Sequence, residues 1–306
     1  MKSNNLYKYY HQHLELIQEK NMVSLEGDYI CPLCLQSFSE SDISTDIITL
    51  EHVPQKSLGG EAITLTCKHC NNDSGTTIDS DLHHFLQQVE FKEQIKGASL
   101  KGRADSTHGT IQSTLECKDN EMVLKISAKN NDSRIKKCLD KLFKKNEVFE
   151  FKGSKIKYNS RNVSAAILKN AYLILFTCIG YPVICNKKYN ILRDFIKNPD
   201  GFFLPEPLWR IFPSLPVEDG VYQSQNDKFK GYVVIYTLKL NREHRVLVLI
   251  PSISNTFNKV ASFLRPLKIG SILALSRLDK NDDLLFNEKR IQEMISWSKS
   301  WKKEVY

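Results

Sequence analysis

The chain contains two cysteine pairs, Cys31-Pro-Leu-Cys34 and Cys67-Lys-His-Cys70, which enclose the segment Leu50-Glu51-His52-Val53-Pro54. Two Cys-x-x-Cys pairs can place four thiolates tetrahedrally around Zn²⁺, with Zn–S distances of about 2.3 Å. All four positions are filled, so the spacing favours one zinc site over chance or buried cysteines. A site with four thiolate ligands has no open position for water, and we therefore expect this zinc to be structural.

The remaining sequence predicts a cytoplasmic protein with no membrane partner. The other four cysteines have no metal-ligand spacing, which is typical of reduced thiols rather than a disulfide framework. The N-terminus lacks the apolar segment of a secretory signal. The longest apolar run, from Val163 to Ile184, is interrupted by Lys169, Asn170 and Pro182. A buried helix fits these interruptions better than a membrane span.

Composition and charge describe a globular chain with two unlike parts. Its 306 residues predict about two domains, and 41% hydrophobic with 25% charged residues exclude a wholly disordered or collagen-like chain. Residues 1–100 contain 7 Lys/Arg against 14 Asp/Glu, whereas the remainder contains 36 Lys/Arg against 21 Asp/Glu. The positive part favours a polyanionic partner, although a solvated basic surface would give the same balance.

The segment between the cysteine pairs carries residues suited to hydrolysis. Glu51 and His52 stand at the end of a β-prone run. Because neighbouring strand residues point to opposite faces, Glu51 could face a metal while His52 faces a substrate. Asn71 follows the last cysteine at a predicted helix start and could supply a second oxygen ligand, with Asn72 as an adjacent candidate. Hard oxygen ligands of this kind suit Mg²⁺ or Mn²⁺.

The stretch from Cys31 to Asp79 resembles the HNH (ββα-metal) nucleases, specifically members whose motif is embedded in a four-cysteine zinc ribbon. The resemblance rests on the two cysteine pairs and on the sequences Glu51-His52-Val53-Pro54, Leu58-Gly59-Gly60, Asn71-Asn72 and Ile78-Asp79. It implies that His52 is the general base that takes a proton from the water attacking a phosphodiester. It also implies that a divalent ion held by Glu51 and Asn71 stabilises the transition state.

Two positions depart from the family pattern. Glu51 stands where most members have Asp, and its longer side chain can still coordinate a metal. Ala62 stands where members carry a middle Asn that braces the loop holding the base. Thr64 or Thr66 could replace that brace.

The fold class that we expect is α+β, in two domains. The resemblance implies that residues 1–98, with a core over 27–90, form a ββα-metal HNH module on a zinc ribbon. Residues 108–306 would then form a basic, mixed α/β domain with antiparallel strands and a buried helix. The spacing predicts helices over 3–20, 77–95, 134–145, 160–179 and 287–304, strand pairs at 110–116 with 122–127 and at 232–238 with 245–250, and a proline-punctuated loop over 199–216.

Candidate nucleic-acid contacts lie in both domains. The predicted helix over 134–145 is lysine-rich around an apolar stripe, and from it we select Arg134, Lys137 and Lys141. Lys56, in the loop after His52, is a further candidate for a DNA phosphate.

Three functions are compatible with these features. The first is a metal-dependent HNH endonuclease acting on DNA, in bacterial restriction or phage defence, with the basic domain supplying target affinity. The second is a non-catalytic zinc-ribbon protein that binds nucleic acid. The third is a nuclease whose C-terminal domain senses a nucleotide signal or a partner protein. Cutting both strands needs two active sites, which a homodimer would supply.

Overall fold

The computed structural model describes residues 2–106, 109–119, 121–126, 131, 150–226, 228–267, 273–278 and 284–300. It is a mixed α+β protein with antiparallel sheets, as the sequence predicted. The chain divides into two compact units. The predicted helix over 134–145, with Arg134, Lys137 and Lys141, lies outside the described residues.

The first unit begins with a helix and two small antiparallel sheets. Helix α1 (Lys2–Glu19) buries Tyr7, Tyr10, Leu14 and Ile17 on one face, which confirms the predicted leading helix. The elements that follow are β1 (Tyr29–Ile30), β2 (Ser37–Phe38), α2 (Ser41–Ser44), β3 (Ile48–Val53), a 3₁₀ turn (Lys56–Leu58), β4 (Glu61–Cys67) and α3 (Lys68–Thr76). Strand β1 pairs with β2, and β3 pairs with β4.

The second unit contains a four-stranded antiparallel sheet. It comprises residues 83–158 and 240–242. Helix α4 (Ile78–Lys92) starts in the first unit and continues into the second. The strands are β5 (Ser99–Ser106), β6 (Gly109–Lys118), β7 (Glu121–Ile126) and β8 (Glu150–Gly153), in the spatial order β7-β6-β5-β8. The antiparallel pairing of β6 with β7 confirms the predicted strand pair.

A long buried helix, α5 (Ser160–Ile179), returns the chain to the first unit. The side chain of Asn159 accepts a hydrogen bond from the Arg161 backbone and caps the start of the helix predicted over 160–179. Within the described residues, α5 alone is long and apolar enough to cross a membrane, and 78% of its apolar window is buried inside the protein. A buried core helix can be as long and as apolar as a membrane-spanning helix, so length and composition alone do not distinguish the two.

The first unit is completed by a five-stranded antiparallel sheet. The elements after α5 are α6 (Tyr181–Ile184), a 3₁₀ turn (Lys187–Tyr189), α7 (Asn190–Lys197), β9 (Trp209–Phe212), β10 (Gly220–Ser224), β11 (Gly231–Lys239), β12 (Glu243–Pro251), α8 (Phe257–Leu264), β13 (Leu275–Arg277) and α9 (Glu288–Lys299). The spatial order of the strands is β13-β10-β11-β12-β9. The pairing of β11 with β12 confirms the predicted hairpin. Strand β9 lies within the segment predicted as a loop, and its four residues pair with β12.

The division into units differs from the predicted division at residues 98–108. Residues 1–82 share one unit with 159–239 and 243–306, while residues 98–108 lie inside the second unit. The reason lies in the burial of α5: its side chains reach both the β3–β4 hairpin and the five-stranded sheet. Examples are the Lys169 ammonium, which contacts Glu51 on β3, and the Ser164 hydroxyl, which accepts a hydrogen bond from the Trp209 indole on β9.

Candidate metal centre and active site

The four motif cysteines come together in the first unit. The Sγ atoms of Cys31, Cys34, Cys67 and Cys70 all lie within 4.8 Å of one another. Cys31, Cys67 and Cys70 are buried, and Cys34 is half-buried. Four thiols at this spacing fit a tetrahedral Zn²⁺ ion, so the four predicted ligands form a site that could hold zinc. Among the described residues, no other group of three or more His, Cys, Asp or Glu side chains is arranged to hold a metal.

Local backbone geometry explains how the two cysteine pairs meet. Cys67 ends β4 and caps α3, and its Sγ accepts a hydrogen bond from the Cys70 backbone at 3.5 Å. The Cys67 backbone donates in turn to Cys31 Sγ at 3.5 Å. Hydrogen bonds from the other three thiols hold the pKa of the Cys67 thiol well below its usual range. His69 lies between Cys67 and Cys70 in the sequence but is exposed. Its Nδ1 lies 3.2 Å from Asp73 Oδ2 and does not face the four thiols.

His52 lies on β3, at an irregularity in the pairing with β4. Glu51 pairs with Thr64 and His52 with Ala62, so the register shifts by one residue between Glu51 and His52. His52 is half-buried, and none of the described side chains is hydrogen-bonded to its ring. Ala62 lies directly opposite and has no polar group to brace the imidazole. His52 is therefore partly exposed, and its ring nitrogens are not occupied by a described side chain.

Asn71 lies in the first turn of α3 and contacts the strand that carries His52. Its Nδ2 donates to the Leu50 carbonyl at 3.1 Å and to Thr49 Oγ1 at 2.9 Å. Since a carbonyl can only accept, these bonds fix which end of the amide faces β3. No hydrogen bond from a described residue uses Asn71 Oδ1. Asn72, the alternative candidate, is exposed, and so is Lys56.

The structure places Glu51 differently from the expectation that it faces a metal. Its side chain is only 2% exposed, and both carboxylate oxygens have donors. Oε1 lies 3.0 Å from the ammonium of Lys169 on α5. Oε2 accepts a hydrogen bond from the Thr66 hydroxyl at 2.8 Å. Thr66 therefore braces Glu51, and among the described residues no hydrogen bond joins His52 to Thr64 or Thr66, the two predicted substitutes for the middle Asn.

These contacts do not fit the expected Mg²⁺ or Mn²⁺ site. Glu51 is buried and already paired with the Lys169 ammonium, so a divalent ion on the same carboxylate would lie close to a second, buried positive charge. Of the two expected ligands, Glu51 and Asn71, only Asn71 retains a side-chain oxygen without a hydrogen-bond donor among the described residues. We therefore assign no catalytic step to a divalent ion held by Glu51.

Sequence reasoning missed Lys169 and the role of Asp79. The Lys169 ammonium also lies 2.6 Å from Asp79 Oδ2, at the start of α4. A signal was present in the sequence: Lys169 is the single charged residue in the stretch Val163–Ile184. A lysine in such a helix is rarely fully buried unless an acidic partner meets it.

A cavity of about 550 Å³ borders the loop that follows His52, within the first unit. Residues of that loop, including Pro54 and Gly60, form one wall. Residues of α5 and β11, including Thr177 and Thr237, form others. This volume is within the range of small-molecule sites. A molecule held there would contact the motif loop and the five-stranded sheet together.

No protein-family model, curated protein or solved structure matches the chain. The proposals below therefore depend on the residues and geometry of this chain.

Proposed function

We propose that the protein is a zinc-stabilised endonuclease of the HNH type, with His52 as the general base. The observation that carries this proposal is the β3–β4 hairpin leading directly into α3. This arrangement puts the partly exposed His52 on β3 and a fixed amide, Asn71, against the same strand. The four-cysteine centre lies where the hairpin joins the helix and would fix the angle between them.

The proposed chemistry is hydrolysis of a phosphodiester bond. An imidazole can take a proton near neutral pH, which suits it to activate water. His52 would remove a proton from a water molecule as its oxygen attacks phosphorus. The bond from phosphorus to the 3′-oxygen breaks, and that oxygen gains a proton from solvent. DNA is the proposed substrate.

The first prediction is that His52→Ala strongly slows the cleavage of supercoiled plasmid. We expect the wild-type protein, assayed with Mg²⁺ or Mn²⁺, to nick or linearise the plasmid. We expect His52→Ala to be slower by about 10²- to 10⁴-fold, the usual contribution of a general base. His69→Ala is the matched control, because this exposed histidine lies on α3 outside the metal centre. All three proteins should contain one zinc ion per chain by elemental analysis.

A second candidate is a zinc-ribbon protein that binds nucleic acid without cutting it. Two observations favour it: Ala62 offers His52 no brace, and the Glu51 carboxylate is withdrawn into the core. The same assay separates the two candidates. If the wild-type protein leaves the plasmid intact with either ion yet shifts its electrophoretic mobility, the second candidate replaces the first.

A further inference from the structure

The strongest unassigned feature is the buried charge cluster of Lys169, Glu51 and Asp79. These residues come from three separate elements, α5, β3 and the start of α4. The Lys169 side chain has no exposed surface, and its Nζ lies 3.0 Å from Glu51 Oε1 and 2.6 Å from Asp79 Oδ2. Of the two carboxylates, Glu51 is the one adjacent in sequence to His52.

The Lys169 side chain in this cluster carries a positive charge. Burial by itself lowers the pKa of Lys169, but the Asp79 and Glu51 carboxylates raise it above its usual value. The ammonium is therefore protonated at neutral pH. Burial raises the pKa of Asp79, and the Lys169 charge opposes that effect only in part. Desolvated charges persist in a core only when they are paired and hydrogen-bonded, as Glu51 is.

A bulge in the β3–β4 pairing, at which β4 carries the extra residue Ile63, lies beside both this cluster and the proposed base. The register with β4 changes between Glu51 and His52, so the direction of the His52 side chain depends on how the backbone is held at Glu51. On one side Thr66 holds the Glu51 carboxylate, and on the other Lys169 holds it. Two contacts on the inner side of the strand hold the Glu51 side chain, and with it the backbone from which His52 projects.

We infer that Lys169 is the positioning residue of this site: its ammonium anchors the Glu51 carboxylate in the core and thereby orients His52. Glu51 is thus an anchor for the base and not a ligand of a divalent ion. The relevance of this inference to catalysis rests on the proposed nuclease function. The orientation of His52 can be measured without any cleavage assay.

The test compares Lys169→Met, Glu51→Gln and the double variant. Lys169→Met leaves two buried carboxylates without a counter-ion, so we expect its Tm to fall by about 10 °C. Glu51→Gln keeps the contact between Lys169 and Asp79 and therefore remains folded. Because the two residues interact, the Tm loss of the double variant should be smaller than the sum of the single losses. Additive losses would overturn the inference.

The second readout is the NMR signal of the His52 ring in the zinc-loaded proteins. We expect its ring resonances to move in Lys169→Met and in Glu51→Gln, and to stay in place in Lys188→Met, an exposed-lysine control. Unchanged His52 resonances in a folded Glu51→Gln protein would overturn the inference. That result would stand whether or not the wild-type protein cuts DNA.

Kinetics supply the third readout. Misorientation of a base lowers kcat, so we expect Glu51→Gln to lose about 10- to 100-fold in kcat with an unchanged KM. The Mg²⁺ concentration for half-maximal rate should not change. A rise of about tenfold or more in that concentration would show Glu51 to be a metal ligand and would overturn the inference. If no protein cuts DNA while Tm coupling and His52 shifts are observed, the proposed function fails and the anchoring of His52 by Lys169 stands.

Discussion

At the scale of single residues, Glu51 and His52 are neighbours with different environments. Glu51 is enclosed by Lys169 and Thr66, whereas His52 is half-buried without a hydrogen bond from any described side chain. Replacing either Glu51 or Lys169 alone should lower the free energy of unfolding strongly. Removing one partner of a buried ion pair destabilises a protein by about 3–5 kcal/mol, because the other charge stays buried alone.

Cys67 has the most structural roles among the zinc ligands, and we predict that Cys67→Ser loses the metal. Cys67 ends β4, caps α3 and contributes one of four thiolates. Structural zinc contributes folding free energy directly, so the variant should contain less than one zinc per chain and unfold at a lower temperature. Cys117→Ser, a buried cysteine on β6 outside the centre, is the control. Equal zinc content in both variants would contradict the assignment.

At the scale of elements, two glycines near the candidate site have different roles. Gly60 follows the motif loop, and a Cβ there would lie 1.3 Å from the Pro54 carbonyl oxygen. The loop after His52 therefore needs glycine at that position. Gly75 lies inside α3, and a Cβ there would meet nothing within 4 Å.

We predict opposite effects of alanine at these two positions. Gly75→Ala should stabilise the protein by about 0.5–1 kcal/mol, because alanine loses less backbone entropy in a helix. Gly60→Ala should destabilise it, because the added carbon displaces the Pro54 backbone. Urea unfolding of the two zinc-loaded variants measures both changes. A Gly60→Ala protein as stable as the wild type would show that the loop does not depend on this close approach.

Periodicity predicted the regular elements well and the irregular ones poorly. Helices α1 and α5 and the β11–β12 hairpin were identified, because their apolar residues repeat at helix or strand spacing. Strand β9 was missed, since four residues between prolines carry too little pattern. Only its pairing with β12 makes that segment a strand. The cysteine pairs were sufficient to predict the metal centre, whereas the position of the Glu51 carboxylate was not predictable without α5.

At the scale of the whole molecule, the first unit is discontinuous in sequence. Its N-terminal part, residues 1–82, shares a core with residues 159–239 and 243–306. Lys169 is 118 residues from Glu51 along the chain. The residues around Glu51 do not indicate which distant side chain will contact its carboxylate. The two compact units therefore do not follow the expected boundary at 98–108, which lies inside the second unit.

We predict that a fragment of residues 1–98 does not fold as an isolated module, even with zinc. It lacks α5, and Glu51 and Asp79 would face no ammonium. Zinc-loaded fragment and full chain can be compared by the dispersion of their amide resonances. A well-dispersed spectrum of the fragment, with His52 signals as in the full chain, would contradict this prediction.

The distance along the chain between Glu51 and Lys169 has a consequence during synthesis. The hairpin and its cysteines leave the ribosome well before the helix that supplies their counter-charge. Until α5 emerges, no ammonium is present to offset the desolvation of the Glu51 carboxylate. The carboxylate therefore stays hydrated, and β3 is not anchored in a core. The β3–β4 hairpin therefore reaches its anchored arrangement only when more than half of the polypeptide has been made, so the order of translation sets when this part of the first unit can fold.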